Sequence, residues 1–492
     1  MSRHKQQTRV SPFLKQCFVT FGASVNMGGA TMVLAYSTGL VLQLRRPGSE
    51  IPVSIAEESW IAAMPAVFSL LGSCLTAMGM SLIGRRYTQI ASIIVVIVGW
   101  LFIVFAKDIT VILVGRFFHG IAMGASMLLT PIINAEYSSP KYRGTFMPVA
   151  SLLASLNVLI SHSTALYLSW RTNAIICTAI AIANLLIAVC SPESPSWLAA
   201  RRRYDDCRHA FRWLRGDDEE EELTNMIDAC EMLHKSKIEN GKASNMTIGK
   251  KIAEFKTIMM KKEFYKPVLI MFHVYTAGLW AASWILSTFV FDLIPSVVGE
   301  GYNHHALGLN IHRFVGGVVA IYFITKIRRR VLFLVVSALT VIILLATAAF
   351  TYAKSIGVLT SDLPALGLFL LHLHTVVLAI CMMPLPFIIG GEIFPLRYKS
   401  FGSGVSSTFF FVGTAILLKS FPFLLNSVGV HGTYTIYSCI ILYCLVILYF
   451  YLPETKDKTL QEIEEEMIGK PCSSDEMKSV QQTLLNEPVI NE

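Results

Sequence analysis

Twelve stretches of the chain are long and apolar enough to cross a bilayer. They lie at about 17–42, 60–82, 88–106, 110–133, 146–168 and 173–191, then at 267–294, 307–325, 331–352, 363–390, 401–425 and 433–452. A helix of about 20 residues covers the hydrocarbon core, so the pattern predicts an all-α membrane protein with twelve transmembrane helices in two six-helix halves. Between the halves lies one long polar segment, containing RRRYDDCRHAFRWLRGDDEEEEL and KSKIENGKASNMTIGKKIAEFK. Its apolar spacing predicts short amphipathic helices lying beside the membrane. The predicted domains are an N-terminal tail (1–16), a first half (17–192), a helical linker (193–266), a second half (267–452) and a C-terminal tail (453–492).

Composition agrees with that pattern. Of 492 residues 54% are hydrophobic and only 15% charged, with a mean hydropathy of +0.57, which excludes an ordinary soluble enzyme. The net charge of +8 does not imply a nucleic-acid partner, because Lys and Arg sit in small clusters at the ends of apolar runs. The ten cysteines form no C-x-x-C pair, which removes the usual zinc and redox frameworks. The basic N-terminus, MSRHKQQTRVSPFLKQ, has no cleavage-site pattern after a short apolar core, so the first helix is expected to insert uncleaved.

Charge also orients the helices. With the N-terminus in the cytoplasm, the short inner segments carry fourteen Lys and Arg and the outer ones five. Both termini and the linker are therefore expected on the cytoplasmic side. The sequon Asn245-Met246-Thr247 then falls on the wrong side for glycosylation.

The halves repeat. PIINAEYSSPKYRG after the fourth run matches LPFIIGGEIFPLRYKS after the tenth, placing Glu136 opposite Glu392 and Arg143 opposite Lys399 at one offset of 256 residues. SPESPSW parallels LPETKDK, which sets Glu193 opposite Glu454, and the basic turn GRRY (84–87) has its counterpart in IRRRV (327–331). Parallel repeats of this kind are the plan of alternating-access transporters, with the binding site near the midplane between the halves.

The repeated acids and bases are candidates for a cytoplasmic gate. Glu136 with Arg143, and Glu392 with Lys399, are expected to pair with Arg85 and Arg86 or with Arg328, Arg329 and Arg330, holding the halves together while the outer side is open. Arg116 lies inside the fourth run, where an unpaired charge is costly, so it is expected to join this cluster through Glu136 or Glu193. Gly120 and Gly124 allow close helix packing. Pro384, Pro386, Gly390 and Gly391 are expected to interrupt the tenth run at a substrate-lining element. His372 and His374, two apart, do not share a helix face and make a poor metal site. No phosphate-cradling loop is present. Neither a metal, a cofactor nor an enzymatic activity is predicted.

In their order, GRR, GRFFHG, PIINAEYSSPKYRG, PESPSW, GEIFPLRYKS and PETKDKTLQEIE resemble the sugar porters of the major facilitator superfamily, and within them the facilitated trehalose and glucose transporters. The likeness runs from the first run to about residue 466. It implies a central sugar cavity, a small-molecule substrate and a linker folded as an intracellular helical bundle. Carried onto this chain, the sugar-contact positions fall on Ser151, Tyr275, Gly278, Trp280, Phe387 and Phe411, and an asparagine position in the eighth span falls on Arg313. Most of the family's amides are therefore replaced, while aromatic groups remain. Ser81 stands where the family has an aspartate, and Arg328 where it has a glycine.

The first run contains no acid, and an intramembrane acid is the usual proton relay, which favours facilitated over proton-coupled transport. Arg313 has two readings: a cation facing the cavity, suited to an anionic cargo, or a side chain snorkelling to the outer interface. The function expected is facilitated transport of a trehalose- or glucose-class sugar across the cell membrane. The alternatives are transport of another small polar or anionic metabolite, or a sugar sensor that does not transport.

Overall fold

The computed structural model describes residues 11–216, 219–240, 260–358, 363–394 and 399–456. The side chains of Arg143 and Lys399, the sequon at 245–247 and most of PETKDKTLQEIE lie outside the described residues.

In a bilayer every backbone amide must find its partner within the protein, so apolar runs become helices. The first half contains α1 (Pro12–Leu44), α2 (Ile55–Leu82), α3 (Arg85–Val104), α4 (Ile109–Tyr137), α5 (Pro140–Tyr167) and α6 (Trp170–Cys190). Ser54 and Glu57 close a capping box at the start of α2, and the Asp108 side chain caps α4. Short helices α7 (Pro195–Ala200), α8 (Tyr204–Arg215) and α9 (Glu220–Asn240) follow, with their own small core of Leu198, Cys207, Phe211, Leu223 and Ile227.

The second half is less regular. Its first apolar run is broken into α10 (Lys262–Trp280), α11 (Ser283–Thr288) and α12 (Val290–Val297). The break falls at Ala282, a non-glycine residue held at φ +66°, a conformation that costs energy and persists only where the surroundings enforce it. After α13 (His305–Lys326) and α14 (Arg329–Ser355), the tenth run divides into α15 (Pro364–Val377), a π-helical turn (Leu378–Met382) and α16 (Leu385–Glu392). This interruption stands at the Pro384–Pro386 punctuation. The last element, α17 (Lys399–Tyr451), kinks at Gly429 (φ +65°, ψ −175°). Unbroken, its 53 residues would extend about 80 Å, more than twice the hydrocarbon core. Gly429 supplies the backbone conformation that turns the chain back.

Among the described residues, ten helical stretches are long and apolar enough to span a membrane, one of them the kinked α17. The protein is all-helical and multi-pass. Residues 12, 137, 193, 329 and 452 gather at one face, called proximal here. Residues 45–58, 168, 297–305 and 431 lie at the distal face.

Glycine sets the closest approach within the first half. At Gly124 an added Cβ would strike the carbonyl of Ser69, and at Gly120 it would come within 2.8 Å of the Pro65 carbonyl, so α2 and α4 pack backbone to backbone. Replacing Gly124 by Leu is expected to destabilise the detergent-solubilised protein by about 2 kcal/mol or more, read as a lower midpoint in thermal size-exclusion profiles. Gly29→Ala, where nothing lies within 4 Å, should leave that midpoint within error.

Candidate functional site

The proximal face carries two similar charge triads, one in each half. In the first, Arg85 donates from Nε and Nη2 to the Glu136 carboxylate at 2.8–3.1 Å. Ser194 Oγ also donates to Glu136, at 2.5 Å. Glu193 Oε1 accepts the backbone N–H of Arg85 at 2.8 Å and of Arg86 at 3.2 Å. Burial pushes the Glu193 carboxyl above its ordinary pKa, with these N–H bonds opposing the shift. In the second triad, Arg329 Nε lies 2.8 Å from Glu392, and Thr455 Oγ1 donates to the same carboxylate at 2.7 Å. Glu454 accepts the N–H groups of Arg329 and Arg330 at 3.0 and 3.2 Å. Arg86 and Arg330 each reach back to a carbonyl near the end of a last span, Val189 at 2.5 Å and Tyr449 at 2.6 Å.

Among the described residues, Glu136 and Glu392 each pair with an arginine of their own half, because each basic turn lies directly beside the end of the helix that carries its acid; pairing across the halves is expected of the state with the outer side open. One correction follows. Arg116 does not join the cluster. It is fully buried and donates to the carbonyls of Ile61 and Val33, each at 2.8 Å, and to the Ser37 hydroxyl. It stands two turns from the distal start of α4, and the 1.5 Å rise per residue puts it about 30 Å from Glu136.

Contacts that join the halves cluster at the distal side. Arg45 holds the Glu58 carboxylate by two bonds of 2.6 Å and pairs with Asp292 of α12 in the other half. Lys419 of α17 donates to Ser59 Oγ at 2.7 Å and lies 4.0 Å over the Trp60 ring. Deeper, Thr38 Oγ1 donates to the Thr288 carbonyl at 2.5 Å, and His162 Nε2 meets the Ser287 carbonyl at 3.0 Å. With that carbonyl as acceptor, Nε2 carries the proton, and Nδ1 accepts from Asn310 Nδ2 at 2.8 Å. The distal side is sealed by layered polar contacts.

Beneath the seal is a small aromatic cleft in the second half, bounded by Tyr275, Gly278, Ser283, Trp284, Met382, Met383, Pro386, Phe387 and Phe410. Phe410 is its hub, with ring centroids 5.1 Å from Phe387, 5.4 Å from Tyr275 and 5.9 Å from Trp284. The enclosed space is about 20 Å³, room for about one water.

Of the expected contact residues, Tyr275, Gly278 and Phe387 line this cleft. Trp280 does not: it packs edge-on against Tyr437 at 4.9 Å. Phe411 is buried behind Phe410 at 5.6 Å, and Ser151, on α5, stands apart from the lining. Arg313 does not snorkel outward. It is buried, donating to Ser287 Oγ and, at 2.9 Å, to Met383 Sδ. Sequence reasoning missed Trp284, which sits two residues beyond the Ala282 break. It also missed the Arg45–Glu58–Asp292 bridge, for which an acid inside the 267–294 run was the available signal.

Two helical halves with matching charge triads at one face and a seal at the other define the class: a membrane transporter fold of the major facilitator type. Residues 15–467 match the family model described as "Sugar (and other) transporter", and the chain belongs to that family. The facilitated trehalose transporter Tret1 of Aedes aegypti is 27% identical over 458 residues, covering 91% of this chain and 54% of that protein. Its counterpart in Drosophila virilis is 26% identical over 456 residues, covering 91% and 48%, so the chain spans about half the length of these two relatives. Against Tret1 of Polypedilum vanderplanki the identity is 27% over 457 residues, covering 91% and 87%. Among solved structures, the inward-open conformation of the xylose transporter XylE from E. coli matches with a TM-score of 0.70 at 15% identity, over 92% of this chain and 99% of that one. That likeness is one of fold.

The bridge gives a direct prediction. Asp292→Asn removes the charge in the second half that Arg45 grips, a loss of about 1–3 kcal/mol for a hydrogen bond to a charged group. In a protein whose native cysteines are replaced, Thr38→Cys is expected to become several-fold more reactive toward a membrane-impermeant thiol reagent when Asp292→Asn is added. Unchanged reactivity would show that the bridge does not hold the seal.

Proposed function

We propose that the protein is a facilitator of trehalose- or glucose-class sugars at the cell membrane, working by alternating access. Family membership supports transport. The observation that carries the mechanism is the asymmetry of polar contacts among the described residues: an ion bridge ties the halves at the distal face, while each proximal triad closes on itself within one half.

This reading takes the architecture as twelve spans. The ten apolar helical stretches support that count when α17 is read as two spans turning at Gly429 and the broken α10–α12 run as one more. The halves are residues 17–192 and 267–452, with both termini and the 193–266 segment cytoplasmic. The distal face is then the outer one. On this reading the outer pathway is the shut one, and cargo exchanges on the cytoplasmic side.

The gate residues are Arg85, Arg86, Glu136 and Glu193 in the first half, with Arg329, Arg330, Glu392 and Glu454 in the second. Arg143 and Lys399 complete the set by their place in the repeat. When the halves rock, the two triads approach and exchange partners across the proximal face. These pairs are partly solvated and individually weak, as a gate that opens on every cycle requires. Absence of an acid from α1 supports uniport rather than proton coupling.

Counterflow of labelled trehalose and glucose into proteoliposomes, at equal pH on both sides, tests the function. Accumulation without an ion gradient is expected. Sugar binding without counterflow, from folded protein, would favour a sensor. Glu392→Gln removes the acid beside the Arg329 side chain, and exchange is expected to slow about five- to thirtyfold, scaled to the 1–2 kcal/mol of a part-exposed charged hydrogen bond.

A further inference from the structure

Two arginines are buried inside the helical bundle, and they are satisfied very differently. Arg116 gives its donors to two carbonyls and a hydroxyl, all strong acceptors, and lies away from the aromatic cleft. Arg313 is 5% exposed. It gives one Nη to the Ser287 hydroxyl and the other to the thioether of Met383, while its Nε is buried with no partner. A thioether is a weak acceptor, and no carboxylate pairs with Arg313 among the described residues. A guanidinium taken out of water is expensive unless it is paired, so this site is short of an anion.

The place of Arg313 says where that anion would come from. Met383 lines the cleft and its sulfur also takes an Nη of Arg313, so this side chain touches both the guanidinium and the space a cargo would enter. Met383 directly follows the π-helical turn, its N–H bonding the Leu378 carbonyl five residues back at 3.2 Å. Such turns mark places where a helix is under functional constraint, and an unbranched thioether is easily displaced.

We infer that the cargo carries a carboxylate, which displaces the Met383 sulfur and takes a forked pair of hydrogen bonds from Arg313. Once the cleft, which holds about one water in this state, widens to admit a ring beside Tyr275, Trp284, Phe387 and Phe410, a carboxylate on Arg313 describes an acidic sugar better than a neutral one. This rests on the sugar-transport reading and narrows its substrate class. It also connects cargo to the seal, since the Ser287 held by Arg313 receives His162 from the other half.

Labelled D-glucuronate and D-glucose, which differ at one carbon, are the probes, measured by counterflow into liposomes containing the full chain. The expected kcat/KM for glucuronate exceeds that for glucose by about tenfold or more, in keeping with hydrogen bonds to a charged group. In Arg313→Gln that ratio should fall to about one. Arg313→Lys keeps the charge without the fork and should give an intermediate ratio, which decides the matter should Arg313→Gln fail to fold. Glucose counterflow with equal or lower glucuronate counterflow would overturn the inference and leave sugar transport standing. No counterflow of glucuronate, glucose or trehalose by folded protein would overturn both.

Discussion

A charge removed from water must meet an opposite charge or a full set of dipoles, and the arrangement of this protein's arginines follows from that single requirement. Arg45 meets it by reaching across the molecule to Asp292 while holding Glu58, and so ties the halves together at the distal face. Arg85 and Arg329 meet it locally, each with an acid from its own half. Arg116 meets it with backbone carbonyls, fastening α4 to α1 and α2. Arg313 meets it only in part. The first three solutions hold a conformation; the fourth marks a place for something else to bind.

The rest of the fold serves these contacts. Close glycine packing makes α2 and α4 a stiff pair, so Glu58 on α2 and Arg116 on α4 keep a fixed relation. In the second half, the breaks at Ala282 and Phe289 divide one span into three pieces. The middle piece, α11, can therefore present the carbonyls of Ser287 and Thr288 to His162 and Thr38. Unbroken helix would have spent those carbonyls on its own ladder.

Much of this was legible in the sequence where repetition carried the signal. The equal offsets of Glu136 with Glu392 and Arg143 with Lys399 disclosed two halves, and Pro384 with Pro386 marked the broken tenth run. Partner choice was not legible, because Arg85 and Arg329 are equally basic neighbours for either acid until the packing decides which is nearer. Arg116 was misassigned through chemistry without height: its need for a partner was clear, but its depth along α4 excluded Glu136. Trp280 and Phe411 lay on the right helices, yet the Ala282 break and the bulk of Phe410 turned or screened them from the cleft. The Asp292 signal was present in a run that otherwise looked uniformly apolar.

The central claim is that the two faces open in opposition, one latched by the Arg45–Asp292 bridge and the other by triads that exchange partners. Pulsed spin-label distance measurements in lipid nanodiscs test this most directly, with one label pair spanning the halves at Glu50 and Glu300 and a second at Arg202 and Lys326. The account predicts that Asp292→Asn shifts population toward a longer distal distance and a shorter proximal one in the same molecules. Distances that stay fixed, or that lengthen together at both faces, would contradict it.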